Sequence, residues 1–201
     1  MRAAQTNFYL IAVGYYEVQK LDQRSMAIRR EVNSKHEAAV IYAAMLAHNE
    51  VMGTAFQVES RPDPPDAILV DGNQRTWMEH TDAFYPGWAE DLTSFAATDK
   101  THRPMRTGIH RDMDNQVAKV FIKVVIEKLN NKSYESTVDR YGPGILVVGI
   151  ESPWLDEETV RAIDEHWTEL GNPDLSSVFR WIYLGFRFEG VNKAILWRPP
   201  R

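Results

Sequence analysis

The feature that most constrains the fold is a two-residue turn between two β-rich runs. Gly72-Asn73 separates the runs 67–70 and 75–81, and Gly-Asn in this setting predicts a β-hairpin with a two-residue loop. The loop sets the pairing of the two strands, and counting outward from it places Asp66 opposite Glu79. Because directly opposed residues have Cβ atoms roughly 4.5–5.5 Å apart, the turn predicts two neighbouring carboxylates.

Two neighbouring carboxylates have two interpretations. They repel each other unless a cation or a shared proton relieves the repulsion, and Mg²⁺ is typically held by one or two carboxylates together with waters and phosphates. Asp66 and Glu79 therefore predict half of a divalent-metal site. The alternative is a solvated acidic surface, because a change of one residue in the loop would shift the register and separate the two side chains.

Apolar residues fall on both faces of the predicted hairpin. This pattern indicates a central pair of strands that is covered from both sides. Thr81 shares a face with Glu79 and brings a hydroxyl to it. His80 points to the opposite face, and we interpret it as a structural residue.

The rest of the chain alternates helices with strands. Before the hairpin, periodicity and turn signals predict a strand at 7–19, a helix that begins with a capping box at Ser34 and Glu37 and continues through 38–47, and a strand at 52–60. After the hairpin, they predict a helix at 115–132, a strand at 145–150 and a helix from Asp156 to Leu170. Two strands follow at 178–184 and 193–197, joined by a turn at Glu189-Gly190. The strand at 7–19 either extends the core sheet or forms a contact in a homodimer. The long stretch 82–114 forms either a lid over phosphate groups or a surface loop.

The helix at 115–132 carries three lysines with different expected surroundings. Projected at 100° per residue, Lys128 falls within the apolar stripe, whereas Lys119 and Lys123 lie on the opposite side. A lysine beside an apolar stripe either reaches water from the end of the helix or meets an acidic partner.

Composition and charge are ordinary except for one basic segment. The 201 residues, 44% hydrophobic and 25% charged, fit a single domain over 1–201. The net charge of −5 argues against general nucleic-acid binding. Residues 100–132, however, hold eight Lys and Arg against three acids, which favours either a phosphodiester substrate or a solvated basic face.

The absence of cysteine and of long apolar runs bears on the metal ligands, the cellular compartment and membrane spanning. A metal in this chain would have only oxygen or nitrogen ligands, because there is no thiolate. The lack of cysteine also fits a cytoplasmic protein. The apolar run 8–13 is too short to span a membrane.

Pro65-Asp66, followed thirteen positions later by Glu79-His80-Thr81, resembles the motif of the PD-(D/E)XK nuclease superfamily. The resemblance implies the α/β restriction-endonuclease-like core, in which a helix, three strands, a helix and a strand form a central mixed sheet flanked by helices. This chain would add N- and C-terminal elements to that core. In the family, the Asp and Glu of the motif hold Mg²⁺ or Mn²⁺, a role that falls here to Asp66 and Glu79. Glu37 would then complete the metal shell rather than only cap its helix.

This chain departs from the family pattern at the lysine. The pattern places a lysine two residues after the acid, where Thr81 stands, so that a hydroxyl without positive charge takes that position. Some members of the superfamily supply the lysine from a neighbouring helix, and Lys128 is the candidate for such a displaced catalytic lysine. Other members have lost catalysis.

The resemblance implies a metal-dependent endo- or exonuclease that hydrolyses phosphodiester bonds of DNA or RNA. Residues of the basic segment would bind the nucleic-acid backbone, namely Arg103, Arg106, Arg111, Lys119 and Lys123. The first alternative is a catalytically inactive nuclease-like domain that binds nucleic acid or protein. The second is an enzyme of unrelated chemistry, for which we find no nucleophile triad, phosphate-binding glycine loop or dinucleotide fingerprint.

Overall fold

The computed structural model describes residues 34–84, 112–151 and 155–198. The chain divides into two compact units, one formed by Met1–His36 and Glu90–Thr107, the other by Glu37–Ala89 and Gly108–Arg201. Almost all of the described residues belong to the second unit. The single domain predicted over 1–201 therefore stays a prediction.

Some predicted features lie outside the described residues. They are the strand at 7–19, most of the predicted loop at 82–114, and the backbone-binding candidates Arg103, Arg106 and Arg111.

The described elements form an α/β structure. In chain order they are α1 (34–52), β1 (Gln57–Ser60), β2 (Ala67–Asp71), β3 (Gln74–Phe84), α2 (Met113–Leu129), a 3₁₀ turn (Lys132–Tyr134), α3 (Glu135–Tyr141), β4 (Gly144–Glu151), α4 (Glu157–Glu169), β5 (Phe179–Phe188) and β6 (Val191–Arg198). The six described strands make one open mixed sheet in the order of the chain. The pairs β3–β4 and β4–β5 are parallel and the other three pairs are antiparallel. The α/β class with a mixed sheet is confirmed.

The hairpin register agrees with the prediction. Asp71 pairs with Gln74 across a loop in which Gly72 has a φ of 56°. The last registered pair is Ala67 with Met78, so the next positions outward are those of Asp66 and Glu79. Strand β3 continues beyond the predicted end at Thr81 because its last residues pair in parallel with β4.

Helices cover both faces of the sheet, as the hairpin pattern predicted. On one face, Trp77 of β3 and Phe121 of α2 belong to a core that also includes residues of α4. On the other face, Met78 and Leu69 pack with Ile41 of α1. Strand β4 lies between β3 and β5, and its central residues are fully buried. This location explains its continuous apolar sequence.

The strand predicted at 52–60 is wrong in its first half. Helix α1 runs to residue 52, and β1 begins only at Gln57. Between them, the Asn49 side chain donates to the carbonyl of Phe56 and accepts from its amide, both at 2.9 Å. A side chain that satisfies backbone groups in this way stabilises a turn instead of a strand.

The helix ends are partly as predicted. The capping box at Ser34 stays a prediction; residue 34 is helical, and one oxygen of Glu37 binds Arg61. Helix α2 covers most of the predicted range 115–132 but ends at Leu129. The N-cap of α4 is confirmed, since Asp156 accepts from two backbone amides of the first turn.

The turn between the last two strands is also confirmed. Glu189 and Gly190 have φ values of 50° and 80°. Within the described ranges, no helix is both long and apolar enough to cross a bilayer.

A buried histidine in α1 makes the stability of the fold depend on pH. His48 is 1% exposed, and its Nδ1 lies 3.0 Å from the hydroxyl of Tyr183. Burial lowers the pKa of His48 to about 4. Since the unfolded histidine takes up a proton near pH 6.5, the unfolded state binds more protons between these values, and acid destabilises the fold.

We expect His48→Gln to remove this dependence. The quantity to compare is the free energy of unfolding of the wild type minus that of the variant. This difference should be about 2 kcal/mol larger at pH 7 than at pH 4. Urea unfolding at both pH values measures it. A difference that does not change with pH would contradict the assignment.

Candidate metal and catalytic site

Asp66 is held beside β3 by a backbone amide. It precedes β2, and its Oδ2 accepts a hydrogen bond of 2.7 Å from the amide of His80. Burial, and then the negative charge of Glu79, raise the pKa of Asp66 to about 6. The hairpin therefore brings these two carboxylates together, as the turn predicted.

Glu79 is a buried carboxylate with two unequal oxygens. Its side chain is 6% exposed, and Oε1 accepts hydrogen bonds from Lys128 Nζ at 2.6 Å and from the Tyr134 hydroxyl at 2.7 Å. Oε2 is buried and has no hydrogen-bond partner within the described part of the chain. Leaving a buried charged acceptor unsatisfied is costly, so a cation at Oε2 would stabilise the site.

Lys128 supplies the positive charge that Thr81 lacks. It leaves α2 near its last turn, reaches Glu79 and is 25% exposed. Of the two alternatives for Lys128, the acidic partner is the one that the structure shows. Thr81 follows Glu79 by two residues on the same strand and is partly buried, so the ammonium group comes from the helix and only a hydroxyl comes from β3.

Tyr134 is the site residue that sequence reasoning missed. It ends the 3₁₀ turn and is almost fully buried, with its ring 5.3 Å from that of Trp77 and 5.7 Å from that of Phe179. Burial, and then the bond to Glu79, raise its pKa well above the usual range. Its hydroxyl therefore stays protonated and donates to Glu79. The only sequence signal is general: a buried tyrosine needs a polar partner.

Glu37 comes from α1, and its charge also acts on Asp66. The negative charge of Glu37 contributes to the raised pKa of Asp66. Its Oε1 accepts from Arg61 Nη2, and Arg61 Nε donates to the carbonyl of Asp66 at 3.4 Å. Arg61 therefore links the carboxylate of Glu37 to the backbone carbonyl of Asp66, a contact that the sequence did not predict.

The lysines predicted to bind nucleic acid do not line this site. Lys119 is exposed, and Lys123 is 72% exposed and pairs with Glu127 at 3.8 Å. Both lie on the side of α2 that faces away from the sheet, opposite Lys128, as their helical spacing requires. They could contact only a nucleic acid that extends over the outer side of α2.

His80 belongs to the opposite face of the sheet. Its Nε2 lies 2.9 Å from Oδ1 of Asp82, and both side chains are largely buried. Alternation along β3 directs His80 away from Glu79. Gly149 of β4 leaves the space for this pair, since a Cβ there would overlap the Asp82 carboxylate.

The acids near Glu79 offer ligand atoms of one chemical type. Asp66, Glu79 and Glu37 offer only carboxylate oxygens, and Oε2 of Glu79 lacks any other partner among the described residues. Oxygen ligands select Mg²⁺, Ca²⁺ and Mn²⁺ over softer metals. The ligand type therefore suits such an ion, although the ligand atoms of Asp66, Glu79 and Glu37 do not all lie within 4.8 Å of one another.

The raised pKa of Asp66 predicts a stability effect. The folded state binds more protons than the unfolded state between pH 4 and 6, so this group destabilises the fold as the pH rises through that range. We expect Asp66→Asn to be more stable than the wild type at pH 7 by about 1 kcal/mol, a value reduced for solvent screening of a partly exposed side chain. The gain should vanish at pH 4.

Urea unfolding of both proteins at the two pH values measures this gain. Asp63→Asn, at an exposed acid in the same proline-rich segment, is the matched control and should show no such gain. An equal gain at both pH values would contradict the assigned titration.

Comparison with known proteins assigns no family to this chain. No family model, no curated protein and no solved structure matches it. The chemistry of the site must therefore be argued from the arrangement of its own side chains.

Proposed function

We propose that this protein is a metal-dependent nuclease of the PD-(D/E)XK type that hydrolyses phosphodiester bonds of DNA. The observation that carries the proposal is the buried Oε2 of Glu79, which has no partner in the described part of the chain although Lys128 and Tyr134 bind the other oxygen. The order α1, β1–β3, α2, β4 also supports it, because a helix, three strands, a helix and a strand make up the restriction-endonuclease-like core.

The three acids would hold the metal. Asp66 and Glu79 would bind Mg²⁺ or Mn²⁺, and Glu37 would complete the shell directly or through water. When bound, such an ion supplies a nucleophilic water at neutral pH and offsets charge on the phosphate oxygens.

Lys128 and Tyr134 would prepare Glu79 for this role. Two donors on Oε1 fix the carboxylate and direct Oε2 away from them. The ammonium of Lys128 also has two further N–H groups, which would orient a water or a phosphate oxygen beside Glu79. Tyr134 holds Glu79 without carrying charge, so it is a positioning residue.

One observation favours the second candidate, an inactive nuclease-like module. Lys128 lies 2.6 Å from Glu79 and neutralises the carboxylate by itself. Such an ion pair compensates the charge of Glu79 in the apo fold and needs no metal. The two candidates differ in whether the acids bind a divalent ion, which can be measured without any assay of cleavage.

We expect cleavage of plasmid DNA in Mg²⁺ or Mn²⁺, and loss of that activity in two variants. Glu79→Gln should reduce the rate at least about 10²-fold because it removes a ligand charge, and Lys128→Ala about 10²-fold because it removes a positioned cation. Arg161→Ala, at an exposed residue of α4, is the control and should cleave like the wild type. Full activity of Glu79→Gln would exclude this site.

Calorimetric titration with Mn²⁺ separates the two candidates. The wild type should bind Mn²⁺, Asp66→Asn and Glu79→Gln should lose binding, and Tyr134→Phe should bind about tenfold more weakly because one hydrogen bond to a charged oxygen is lost. Phenylalanine keeps the packing against Trp77 and Phe179, so the loss reports on the hydroxyl alone. A wild type that does not bind Mn²⁺ would support the inactive module instead.

A further inference from the structure

A second polar cleft lies at the turn end of the hairpin. Its volume is about 530 Å³, and it is lined by Glu59, Asn73, Arg75, Arg140 and Tyr141. The residues come from β1, the hairpin and the end of α3. None of them belongs to the site around Glu79.

The cleft holds two guanidiniums and one carboxylate. Arg75 donates to the carboxylate of Glu59 through Nε at 3.1 Å and Nη2 at 2.8 Å. Arg140 lies over the ring of Tyr141, 5.0 Å from its centroid. Its charge, after that of Arg75, helps to lower the pKa of Glu59, but Arg140 makes no direct salt bridge within the described residues. Two guanidiniums therefore face one carboxylate, and the cleft is positive although the chain as a whole carries −5.

The walls of the cleft are fixed relative to each other. The indole Nε1 of Trp77 donates to the carbonyl of Gly142 at 2.8 Å, which ties β3 to the end of α3. Trp77 follows Arg75 by two residues, and Gly142 follows Tyr141 directly. The absence of a Cβ at Gly144 lets the Trp77 ring pack there. The two arginines thus project from elements that the buried indole holds in place.

We propose that this cleft binds a backbone phosphate of a single nucleic-acid strand, at a distance from the bond that is cleaved. The guanidinium of Arg140 makes no direct salt bridge in the described chain and offers planar paired donors that match a phosphate, and Asn73 and Tyr141 add an amide and a hydroxyl. This step rests on the proposed nuclease function, because a phosphodiester chain would have to reach both sites.

The spacing of the two sites suits a polymer. Arg75 and Glu79 lie four residues apart on β3 and on the same face of the sheet, which corresponds to about 13 Å along the strand. A phosphate in the cleft and a phosphate at Glu79 would therefore belong to different nucleotides of one strand. A mononucleotide could not occupy both sites.

The test is binding of a labelled single-stranded DNA oligonucleotide in EDTA, followed by fluorescence anisotropy over a range of salt concentrations. Arg140→Gln should weaken binding about fivefold at low salt. It should also reduce the slope of log K against log salt by about 0.7, as expected when one phosphate contact to a single strand is lost. Arg161→Gln, an exposed arginine on α4, is the matched control and should keep the wild-type slope.

The outcomes separate this proposal from the nuclease proposal, because no metal and no cleavage are involved. Loss of slope in Arg140→Gln, with an unchanged control, supports the cleft even if no cleavage is ever seen. An unchanged slope in Arg140→Gln overturns the cleft and leaves the Glu79 site unaffected. A wild type that does not bind the oligonucleotide at low salt also overturns it.

Discussion

The arrangement of this protein depends on a charged carboxylate buried at the centre of its sheet. Glu79 loses its hydration on folding, and only one of its oxygens is compensated, by Lys128 and Tyr134. Buried ion pairs of this kind are commonly less stabilising than apolar residues of the same volume. The hairpin, α2 and the 3₁₀ turn each contribute one of these three residues, so the local structure converges on a group that costs stability. Such a cost is typical of functional sites, where a perturbed environment serves the chemistry.

The topology of the sheet explains why the acids meet here. Strand β3 is antiparallel to β2 as far as Met78, and beyond that point it pairs only with β4. The amide of His80 therefore lacks a backbone partner from β2, and the carboxylate of Asp66 replaces it. A buried amide needs an acceptor. The carboxylate of Asp66, a candidate metal ligand, is therefore positioned at the point where the pairing of β2 with β3 ends. A backbone carbonyl there would satisfy the amide but leave Glu79 without an acidic neighbour.

Local signals were enough to predict the parts of the site that lie within single elements. The Gly72-Asn73 turn set the hairpin register, and helical spacing placed Lys128 on the inner side of α2. Tyr134 could not be found in this way, because it lies in a short turn without periodicity and reaches Glu79 only through tertiary packing. The same limit explains the error at residues 52–56, where the side chain of Asn49 organises a turn in a sequence with strand-like alternation.

Electrostatics link the two proposed sites. Without a cation, the carboxylates around Asp66 would repel a phosphate, whereas the proposed cleft at Arg140 would attract one. A divalent ion would reverse the sign of the potential at Glu79, so the same strand would then be held at both ends of the hairpin. By linkage, whatever the metal adds to the affinity for the strand, the strand must add to the affinity for the metal. If both proposals hold, a chain with a net charge of −5 would bind a polyanion at two places, because the charges at those places, and not the total, determine the local field.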